Sequence, residues 1–515
     1  MSQISEPHHA QNTDVGKLAK GASVSLVGRI TGRATHIAGQ VAIARLLGPE
    51  TFGLYAIGWT VFSLAGLVSP LGLEKGVVRY ASMYRDNNPS RLKGVIIQAF
   101  GITLLSSTLA SVLLYFAAPW LAVSVFKKPD LLPVFLWLSP ALVFCALLKI
   151  LAATARVSQQ MQYSVYTEDV AQPISNLFLF LLFYSLGWNL FGALGAIVCS
   201  FSLACFLGAY FVRKLFSTLF SRQTKAEGEG AELLSFSLST AAGALATMSL
   251  VWVDRLLIGM FCSSSDAGIY QAASQTSLLF AVILGALGAI FSPLIAELHQ
   301  KGEMQRLEEL FRVSTKWGLY LSLPFFLVVC FAPQEVMTTV FGPGYESGAI
   351  PLMVLTLAQL INVGTGEVGY LLMMTGHHSR WFWLSCSMLL MNIVLNVLLI
   401  PKFGLQGAAV GTALTVVGLF LLGLYEVKRR LGIWPYDKRY RKGALATVVA
   451  ASALWLFHLG GVRPVDGGLL LMFFVSIGVF TGALLLLGLD GEDRAVISLY
   501  RFGTRSRPHL GAMSR

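Results

Sequence analysis

Long apolar segments alternate with short polar ones along almost the whole chain. Fourteen of the apolar segments reach about the 20 residues that a helix needs to cross the hydrocarbon core of a bilayer. They fall approximately at residues 22–47, 53–73, 92–117, 131–155, 168–187, 190–212, 233–261, 267–295, 313–332, 349–375, 381–400, 405–427, 443–461 and 467–489. The pattern therefore predicts an all-α polytopic membrane protein with fourteen transmembrane helices.

Composition and charge agree with this pattern. Of the 515 residues 55% are hydrophobic and only 12% are charged, whereas a soluble domain carries about 25% charged residues. If the N-terminus is cytoplasmic, the loops on that side hold 28 of the 38 Lys and Arg residues and the opposite loops hold five. This asymmetry predicts cytoplasmic N- and C-termini. The net charge of +12 thus reflects the membrane topology and favours contact with anionic lipid. No nucleic-acid partner is expected.

The cysteines and the N-terminus exclude other classes of protein. No pair of cysteines has the CxxC spacing of a metal or redox site, so we expect all of them to pack as small apolar residues. They are Cys145, Cys199, Cys205, Cys262, Cys330 and Cys386. The first residues include Glu6 and Asp14 and lack the basic start of a cleavable signal peptide. The first span is therefore expected to remain in the mature protein.

Two short sequence matches indicate an internal duplication. Residues 53–56 (GLYA) match residues 268–271 (GIYQ), and residues 192–195 (GALG) match residues 407–410 (GAAV), both at an offset of 215. Both matches start a span at the equivalent place in a frame of six spans, although chance recurrence of glycine at helix ends is the alternative. Because six is even, both copies enter the membrane from the same side, which predicts two parallel six-helix lobes around a central cavity.

The domain organisation follows from the spans and the repeat. Spans 13 and 14 lie outside the duplication and are predicted to be an accessory pair of C-terminal helices. The predicted divisions are a cytoplasmic N-terminal tail (1–21), an N-lobe of spans 1–6 (22–215), a cytoplasmic linker (216–232), a C-lobe of spans 7–12 (233–430), the accessory spans (443–489) and a basic cytoplasmic tail (490–515).

A polar stripe runs along the first span. Arg29, Arg33, His36 and Gln40 follow each other at intervals of three or four residues and so lie on one helix face. An arginine at the bilayer centre costs about 2.5 to 3.5 kcal/mol on insertion scales and is normally kept where it meets water, a partner or a substrate. Arg29 is close enough to the interface to extend to water instead. The stripe therefore predicts a cationic cavity wall that binds an anion.

Two further cations lie within the predicted spans. Lys149 falls in the inner half of span 4 and Arg255 in the outer half of span 7, so with the stripe they place positive charge at several depths. Cations at different depths can pass an anionic group across a bilayer, and the planar guanidinium suits the oxygens of a diphosphate. The alternatives are that both side chains reach the interface, or that Arg255 pairs with its neighbour Asp254.

Glu367 is the one deeply placed carboxylate of the second lobe. It lies in a glycine-rich stretch of span 10, which predicts a break or hinge there. Subtracting the repeat offset places Glu367 one turn from Lys149, so an ion pair between the two is the expected role. A coupling site for H⁺ or Na⁺ is the alternative.

No enzyme motif emerges from the chain. There is no phosphate-cradling P-loop, and the acidic pair Glu168-Asp169 falls at the predicted start of span 5, where charge at a helix N-terminus explains it. We therefore expect a transporter without catalytic residues, metal site or cofactor. The identity of a coupling ion, Na⁺ or H⁺, is left open.

Three runs of sequence resemble a known family. They are ARLLGPETFGLYAIG (44–58), GLEKGVVRYAS (72–82) and DRLLIGMFCSSSDAGIYQAA (254–273). These runs are similar to the polysaccharide-exporter family of oligosaccharide flippases, which shares a superfamily of two six-helix lobes with the lipid II flippases and the multidrug and toxin extrusion transporters. The runs mark helix junctions, so they indicate the superfamily better than the cargo.

The resemblance implies a function in surface polysaccharide biosynthesis. The expected cargo is an oligosaccharide on undecaprenyl diphosphate, moved from the cytoplasmic to the outer leaflet of a bacterial plasma (inner) membrane. Membrane lipids surround the protein, and the polymerase and glycosyltransferases of the same pathway are expected partners. Alternating access, with the stripe holding the diphosphate, is the expected mechanism.

Two alternatives remain open at this stage. A multidrug extrusion antiporter for organic cations should carry carboxylates in its first-lobe cavity, whereas spans 1–6 hold Arg29, Arg33 and Lys149 there. A membrane-embedded sugar polymerase or glycosyltransferase should carry a large outer loop with catalytic groups, and the predicted outer loops are short.

Overall fold

The regular structure of the described residues is helical. The computed structural model describes residues 7–216, 226–228, 230–459, 468–488 and 490–494. Within them, nine helical stretches are long and apolar enough to cross a membrane. The predicted class, a multi-pass helical membrane protein, is therefore confirmed, while the linker at 216–232 and the basic tail at 490–515 lie largely outside the described residues.

Seventeen α-helices are described. The first eight are α1 (Pro7–Val68), α2 (Leu73–Tyr84), α3 (Pro89–Trp120), α4 (Leu131–Val157), α5 (Met161–Ser164), α6 (Gln172–Ser185), α7 (Asn189–Leu215) and α8 (Gly230–Phe261). The others are α9 (Ser264–Ser277), α10 (Leu279–Gln300), α11 (Met304–Phe331), α12 (Pro333–Phe341), α13 (Ala349–Thr365), α14 (Val368–Met374), α15 (His378–Leu431), α16 (Tyr440–Leu459) and α17 (Gly468–Leu486). Two π-helical segments, Leu121–Val125 and Val165–Ala171, continue α3 and precede α6.

The two longest helices each contain a break. α1 loses helical geometry at Gly48 (φ 75°, ψ 169°), and α15 loses it at Gly404 (φ 55°, ψ −132°). Pro49 disfavours a helical conformation at the residue before it, and glycine tolerates the positive φ that results. Each break falls between two predicted spans, so α1 covers spans 1 and 2 and α15 covers spans 11 and 12.

Unusual backbone angles recur at the offset of the sequence repeat. Lys127 and Gly342 are 215 positions apart and both have positive φ, 53° and 100°. Asn189 and Gly404 are also 215 positions apart, with φ of 39° and 55°. Positive φ is uncommon for residues other than glycine, so its recurrence at two equivalent pairs supports the duplication independently of the sequence matches.

The chain divides into two compact units. The first comprises Met1–Ala273, Val340–Gly348 and Ser385–Thr412. In it α4 packs against α1, α2, α3 and α7, and its stretch from Ala152 to Ala155 is buried. Small residues let membrane helices approach closely, which is the main source of packing between helices in lipid.

The second unit comprises Ser274–Thr339, Ala349–Leu384 and Ala413–Arg515. One of its apolar clusters joins α16 and α17 to α11 through residues such as Leu327, Leu454 and Phe480. This packing fixes the accessory pair against α11. The predicted lobe boundaries at 22–215 and 233–430 are drawn from the repeat rather than from compactness, and they stay a prediction.

Candidate substrate-binding site

The side chains of the polar stripe of α1 are exposed at one end and buried at the other, which is called the closed end. Arg29, Arg33 and His36 are exposed, whereas Gln40 is only 4% exposed. The Gln40 amide donates a hydrogen bond to the Tyr55 hydroxyl at 3.3 Å, across the break in α1. Two guanidinium groups and one imidazole of the stripe are thus available to a ligand, and Gln40 serves to hold the second half of α1.

Glycines bring α1 into direct contact with the π-helical segment Val165–Ala171. A Cβ atom on Gly32 would lie 1.6 Å from the carbonyl oxygen of Asp169, and one on Gly28 would lie 2.3 Å from the Val165 side chain. Any larger residue would force the two elements apart. A π-helix is rare and is often found at functional sites, and here it lies directly beside the arginines.

The π-helical segment carries two carboxylates to two arginines. Asp169 lies 3.9 Å from Arg29, and Glu168 lies 3.4 Å from Arg156. Glu168 lies in the first turn of this segment, as expected for charge near a helix N-terminus, and both carboxylates also form ion pairs. The pair was visible in the sequence, but its contacts depend on the π-helical backbone and on the glycines of α1.

A narrow cavity lies beside the closed end of the stripe. It has a volume of about 10 Å³ for a water-sized sphere and is lined by polar and aromatic side chains, so it has room for about one water molecule. Its lining comprises Thr35, His36, Gly39, Gln40, Tyr55, Trp59, Gln172, Pro173 and Asn176. The ring centroids of His36 and Trp59 are 6.1 Å apart. The cavity extends the polar surface of the stripe with amide groups and an aromatic face.

Lys149 points to a helix backbone. Its ammonium group donates a hydrogen bond to the carbonyl oxygen of Gly66 at 2.7 Å. The side chain is partly buried, so this bond fastens α4 to the second half of α1. The expected ion pair of Lys149 with Glu367 stays a prediction.

Asp254 and Arg255 form part of a buried polar cluster. Asp254 accepts hydrogen bonds from the Tyr270 hydroxyl at 2.7 Å and from the Thr412 hydroxyl at 3.3 Å. Arg255 is 7% exposed, and its guanidinium lies 4.6 Å from the centre of the Trp252 ring. The cluster is equivalent to the contact between Gln40 and Tyr55 in the first copy of the repeat. Arg255 and Tyr270 lie 215 positions after these two residues.

Glu367 lies at a break between two helices. α13 ends at Thr365, Gly366 has a φ of 70°, and α14 begins at Val368, so the predicted break is present. Glu367 is 5% exposed, and its Oε1 atom has no hydrogen-bond partner among the described residues. A Cβ atom on Gly288 of α10 would lie 2.8 Å from that oxygen. A buried carboxylate with an unsatisfied oxygen is costly unless it is protonated or binds a cation.

The fold defines a multi-pass helical membrane protein. In the part of the chain that the structure describes, no group of three or more His, Cys, Asp or Glu side chains is placed to hold a metal ion. The family described as "Polysaccharide biosynthesis protein" matches residues 42–349. This chain belongs to that family, the group of polysaccharide exporters.

Named relatives point in the same direction. A protein of Haloferax volcanii named "Probable flippase AglR" is 25% identical over 253 residues, which are 48% of this chain and 52% of the relative. The chain thus spans about half the length of that relative. A "Putative O-antigen transporter" of Shigella flexneri is 22% identical over 393 residues, covering 74% of this chain and 91% of the relative.

A solved structure has a similar fold. The structure titled "Lipid II flippase MurJ, inward closed conformation" superposes with a TM-score of 0.72 and covers 93% of this chain and 100% of that chain. The sequence identity is 15%, so the similarity is evidence for the fold alone.

Proposed function

We propose that the protein is a flippase that moves an oligosaccharide linked to undecaprenyl diphosphate from the cytoplasmic to the outer leaflet of a bacterial plasma membrane. The family assignment and the names of the relatives support a flippase of surface-polysaccharide biosynthesis. The observation that carries the choice of cargo is the exposure of Arg29 and Arg33 on a membrane helix. Exposed guanidinium groups at this depth suit an anionic head group such as a diphosphate.

The proposed architecture has fourteen spans in two parallel lobes, with both termini in the cytoplasm. The breaks at Gly48 and Gly404 support the count, because each divides one continuous helix into two predicted spans. The paired positive φ angles at an offset of 215 support the duplication. The Lys and Arg asymmetry supports the orientation.

The proposed mechanism is alternating access. The diphosphate binds the stripe in the cavity between the lobes, the lipid tail stays in the bilayer, and the sugar occupies the aqueous volume. Asp169 lies within 3.9 Å of Arg29, so the arriving diphosphate replaces a carboxylate that already faces the stripe. An inside-negative membrane potential favours outward movement of negative charge by about 2.3 kcal/mol per charge per 100 mV, so the cycle needs no ATP site.

Ion coupling is assigned to a buried carboxylate. Glu367 is the first candidate because Oε1 lacks a hydrogen-bond partner in the described part of the chain. Asp254 is the second, although three donors already stabilise its oxygens. Either carboxylate can bind H⁺ or Na⁺ in one state of the cycle and release it in the other.

Reconstitution tests the cargo directly. Purified protein in liposomes that contain an oligosaccharide on undecaprenyl diphosphate should move the glycolipid between leaflets, and we measure its exposure to a sugar-oxidising reagent outside. Arg33→Ala should abolish this movement, and Arg33→Lys should retain part of it, because lysine keeps the charge but loses the planar fork.

Arg213→Ala is the matched control, since Arg213 is an exposed arginine at the end of α7. If Arg33→Ala moves the glycolipid as fast as this control does, the assigned role of the stripe is contradicted. Transport of an organic cation by the unmodified protein, with no movement of the glycolipid, contradicts the cargo and favours a multidrug extrusion antiporter.

A further inference from the structure

A groove lies between α3 and α7 in the first compact unit. Both helices pack on α4, and the groove between them has a volume of about 480 Å³ for a water-sized sphere. This volume falls within the range of about 300 to 1,000 Å³ that is typical of ligand pockets. The groove is lined by Lys93, Ile96, Ile97, Phe100, Leu151, Ala209 and Val212. It is thus large enough for a ligand, and its lining is apolar except at one residue.

A glycine and an alanine of α7 leave the space for this groove. A Cβ atom on Gly208 would lie 3.2 Å from the Cβ atom of Leu151, so α7 lies close to α4 at this position. Ala209 follows and lines the groove with a single methyl group. Phe206 and Tyr210, at nearby positions of α7, are large and exposed. The groove is therefore a gap in an otherwise bulky apolar surface.

One face of α3 forms the opposite wall. The four lining residues that α3 supplies are separated by one or three positions, so they share one side of the helix. They are Lys93, Ile96, Ile97 and Phe100. The seven positions from the first to the last span about 10 Å along the helix axis. The wall thus begins with a cation near the start of α3 and continues with apolar side chains into predicted span 3.

Positive charge is concentrated where the groove meets the start of α3. Among the described residues that line the groove, Lys93 alone is charged. The first turn of α3 contains no acidic residue, and the positive end of the helix dipole adds to the charge there. Arg91 lies 3.9 Å from Glu227, so Lys93 is the cation that the groove itself presents. This charge favours a ligand with an anionic head and an apolar body.

A second cavity of similar volume has a different balance of charge. It lies between α10 and α11, has a volume of about 500 Å³, and is lined by carboxylates as well as cations. Glu297 and Glu309 stand there beside Lys301 and Arg306. Lys301 lies 2.5 Å from Glu297. Because its cations are balanced in this way, the second cavity favours an anionic ligand less than the groove of α3 and α7 does.

The groove is separate from the polar stripe of α1. Lys149 and Leu151 are two positions apart on α4, which places their side chains about 200° apart around the helix. Lys149 contacts the Gly66 carbonyl oxygen of α1, whereas Leu151 lines the groove. The groove therefore lies on the side of α4 that faces away from α1.

We propose that this groove binds one anionic phospholipid of the cytoplasmic leaflet, with its phosphate on Lys93 and an acyl chain along Ile96, Phe100 and Ala209. The proposal goes beyond the proposed function and takes from it only the orientation, which places the start of α3 at the cytoplasmic surface. Anionic lipids give that surface its negative potential. The bound chain fills the gap between α3 and α7 and holds both helices against α4.

Native mass spectrometry of the delipidated full-length protein tests the site. The probes are dioleoyl phosphatidylglycerol, which is anionic, and dioleoyl phosphatidylcholine, which has the same chains and no net charge. The parent protein should bind the anionic lipid about fivefold more tightly, the factor that one basic residue near a membrane surface contributes. Lys93→Met should remove this preference and leave the binding of the neutral lipid unchanged.

Lys301→Met is the matched control, because it removes the same charge beside the second cavity. This variant should keep the preference of the parent protein for the anionic lipid. An equal loss in both variants means that the lipid follows the net charge rather than the groove, and it overturns the proposal. An unchanged preference in Lys93→Met overturns it as well.

Filling the groove tests the position of the acyl chain. Ala209→Phe places a ring in the gap, so it should weaken the binding of both lipids. It should also abolish the rise in unfolding temperature that the anionic lipid gives the parent protein. Leu105→Phe is the control, since Leu105 is an exposed position of α3 outside the groove lining. Binding by a folded Ala209→Phe protein that equals binding by this control overturns the proposal.

Competition distinguishes a phospholipid from the lipid of the cargo. An excess of a short-chain prenyl diphosphate should leave phosphatidylglycerol bound, because the groove and the stripe lie on different sides of α4. Displacement of phosphatidylglycerol from the parent protein overturns the proposal and assigns the groove to the lipid of the cargo.

The binding readout needs no transport, so it also separates the lipid site from the proposed function. A preference for the anionic lipid that depends on Lys93, together with no glycolipid movement by the parent protein, retains the lipid site and rejects the flippase. Glycolipid movement by a parent protein that shows no such preference does the reverse.

Discussion

At the scale of single residues, the site is a balance between cations and carboxylates. Arg29 and Arg33 are exposed, yet Asp169 already lies 3.9 Å from the Arg29 guanidinium. An exposed ion pair of this kind contributes little, about 0.2 to 1 kcal/mol. In the proposed cycle a diphosphate, which carries more charge than one carboxylate, displaces Asp169, and the return of Asp169 to Arg29 favours release of the cargo.

Removal of the competing carboxylate should tighten binding. Asp169→Asn frees Arg29, so we expect affinity for a short-chain prenyl diphosphate to rise by about two- to fivefold, in line with the small free energy of an exposed pair. The measurement is binding to the detergent-solubilised protein by titration calorimetry. Asp86→Asn removes an exposed carboxylate that pairs with Arg85 and serves as the control. Weaker binding in Asp169→Asn would mean that Asp169 positions Arg29 instead of competing with the ligand.

At the scale of elements, the accessory helices are held to α11 by buried charge. Lys316 of α11 is 1% exposed and lies 2.9 Å from Asp493, 3.3 Å from Asp490 and 3.6 Å from Glu492, all beyond the end of α17. Lys316 lies just inside predicted span 9 (313–332), and the structure places its ammonium group in this cluster. No local pattern indicates this cluster, because its partners are more than 170 positions away along the chain.

The charge cluster should be a main support of the accessory pair. Lys316→Met removes the buried cation from Asp493, while Lys442 and Arg439 stay beside Asp490 and Glu492. Breaking a buried ion pair costs about 3 to 5 kcal/mol. Because these carboxylates are 16 to 26% exposed, we expect a loss at the low end, about 3 kcal/mol or less. Thermal unfolding in detergent measures it. Lys301→Met, which removes an exposed lysine paired within α10, should change stability little, and an equal loss in both variants would contradict the assignment.

At the scale of the whole molecule, the proposed cycle needs a driving force. Glu367 of the second unit is the proposed coupling group, because it is buried and its Oε1 atom has no hydrogen-bond partner among the described residues. Glu367 lies where α13 gives way to α14, so binding of an ion there acts on a helix break rather than on a rigid helix.

Neutralising Glu367 should uncouple transport from ions. Glu367→Gln keeps the shape of the side chain, so we expect it to keep basal flipping and lose the acceleration by an imposed proton or sodium gradient. The assay is glycolipid movement in liposomes with and without each gradient. Glu297→Gln, at the exposed end of α10, is the control and should retain the acceleration. If Glu367→Gln is accelerated by the gradient as much as the parent protein, Asp254 becomes the candidate for the coupling carboxylate.

The sequence by itself determined the membrane class, the stripe and the helix break at Glu367. Each follows from the chain read locally, because hydrophobic length, helical periodicity and glycine content act over a few turns. The offset of 215 also predicted which residues would be equivalent, and the positive φ angles at Lys127 and Gly342 follow it.

Only the tertiary structure decided which of these residues meet. Asp169 reaches Arg29 because glycines let α1 touch a π-helical turn, and Lys128 and Tyr345 reach carbonyl groups of distant helices. Such contacts depend on close approach of backbones that are far apart in sequence. Local patterns carry no information about them, since the free energy that selects them arises only when the helices pack.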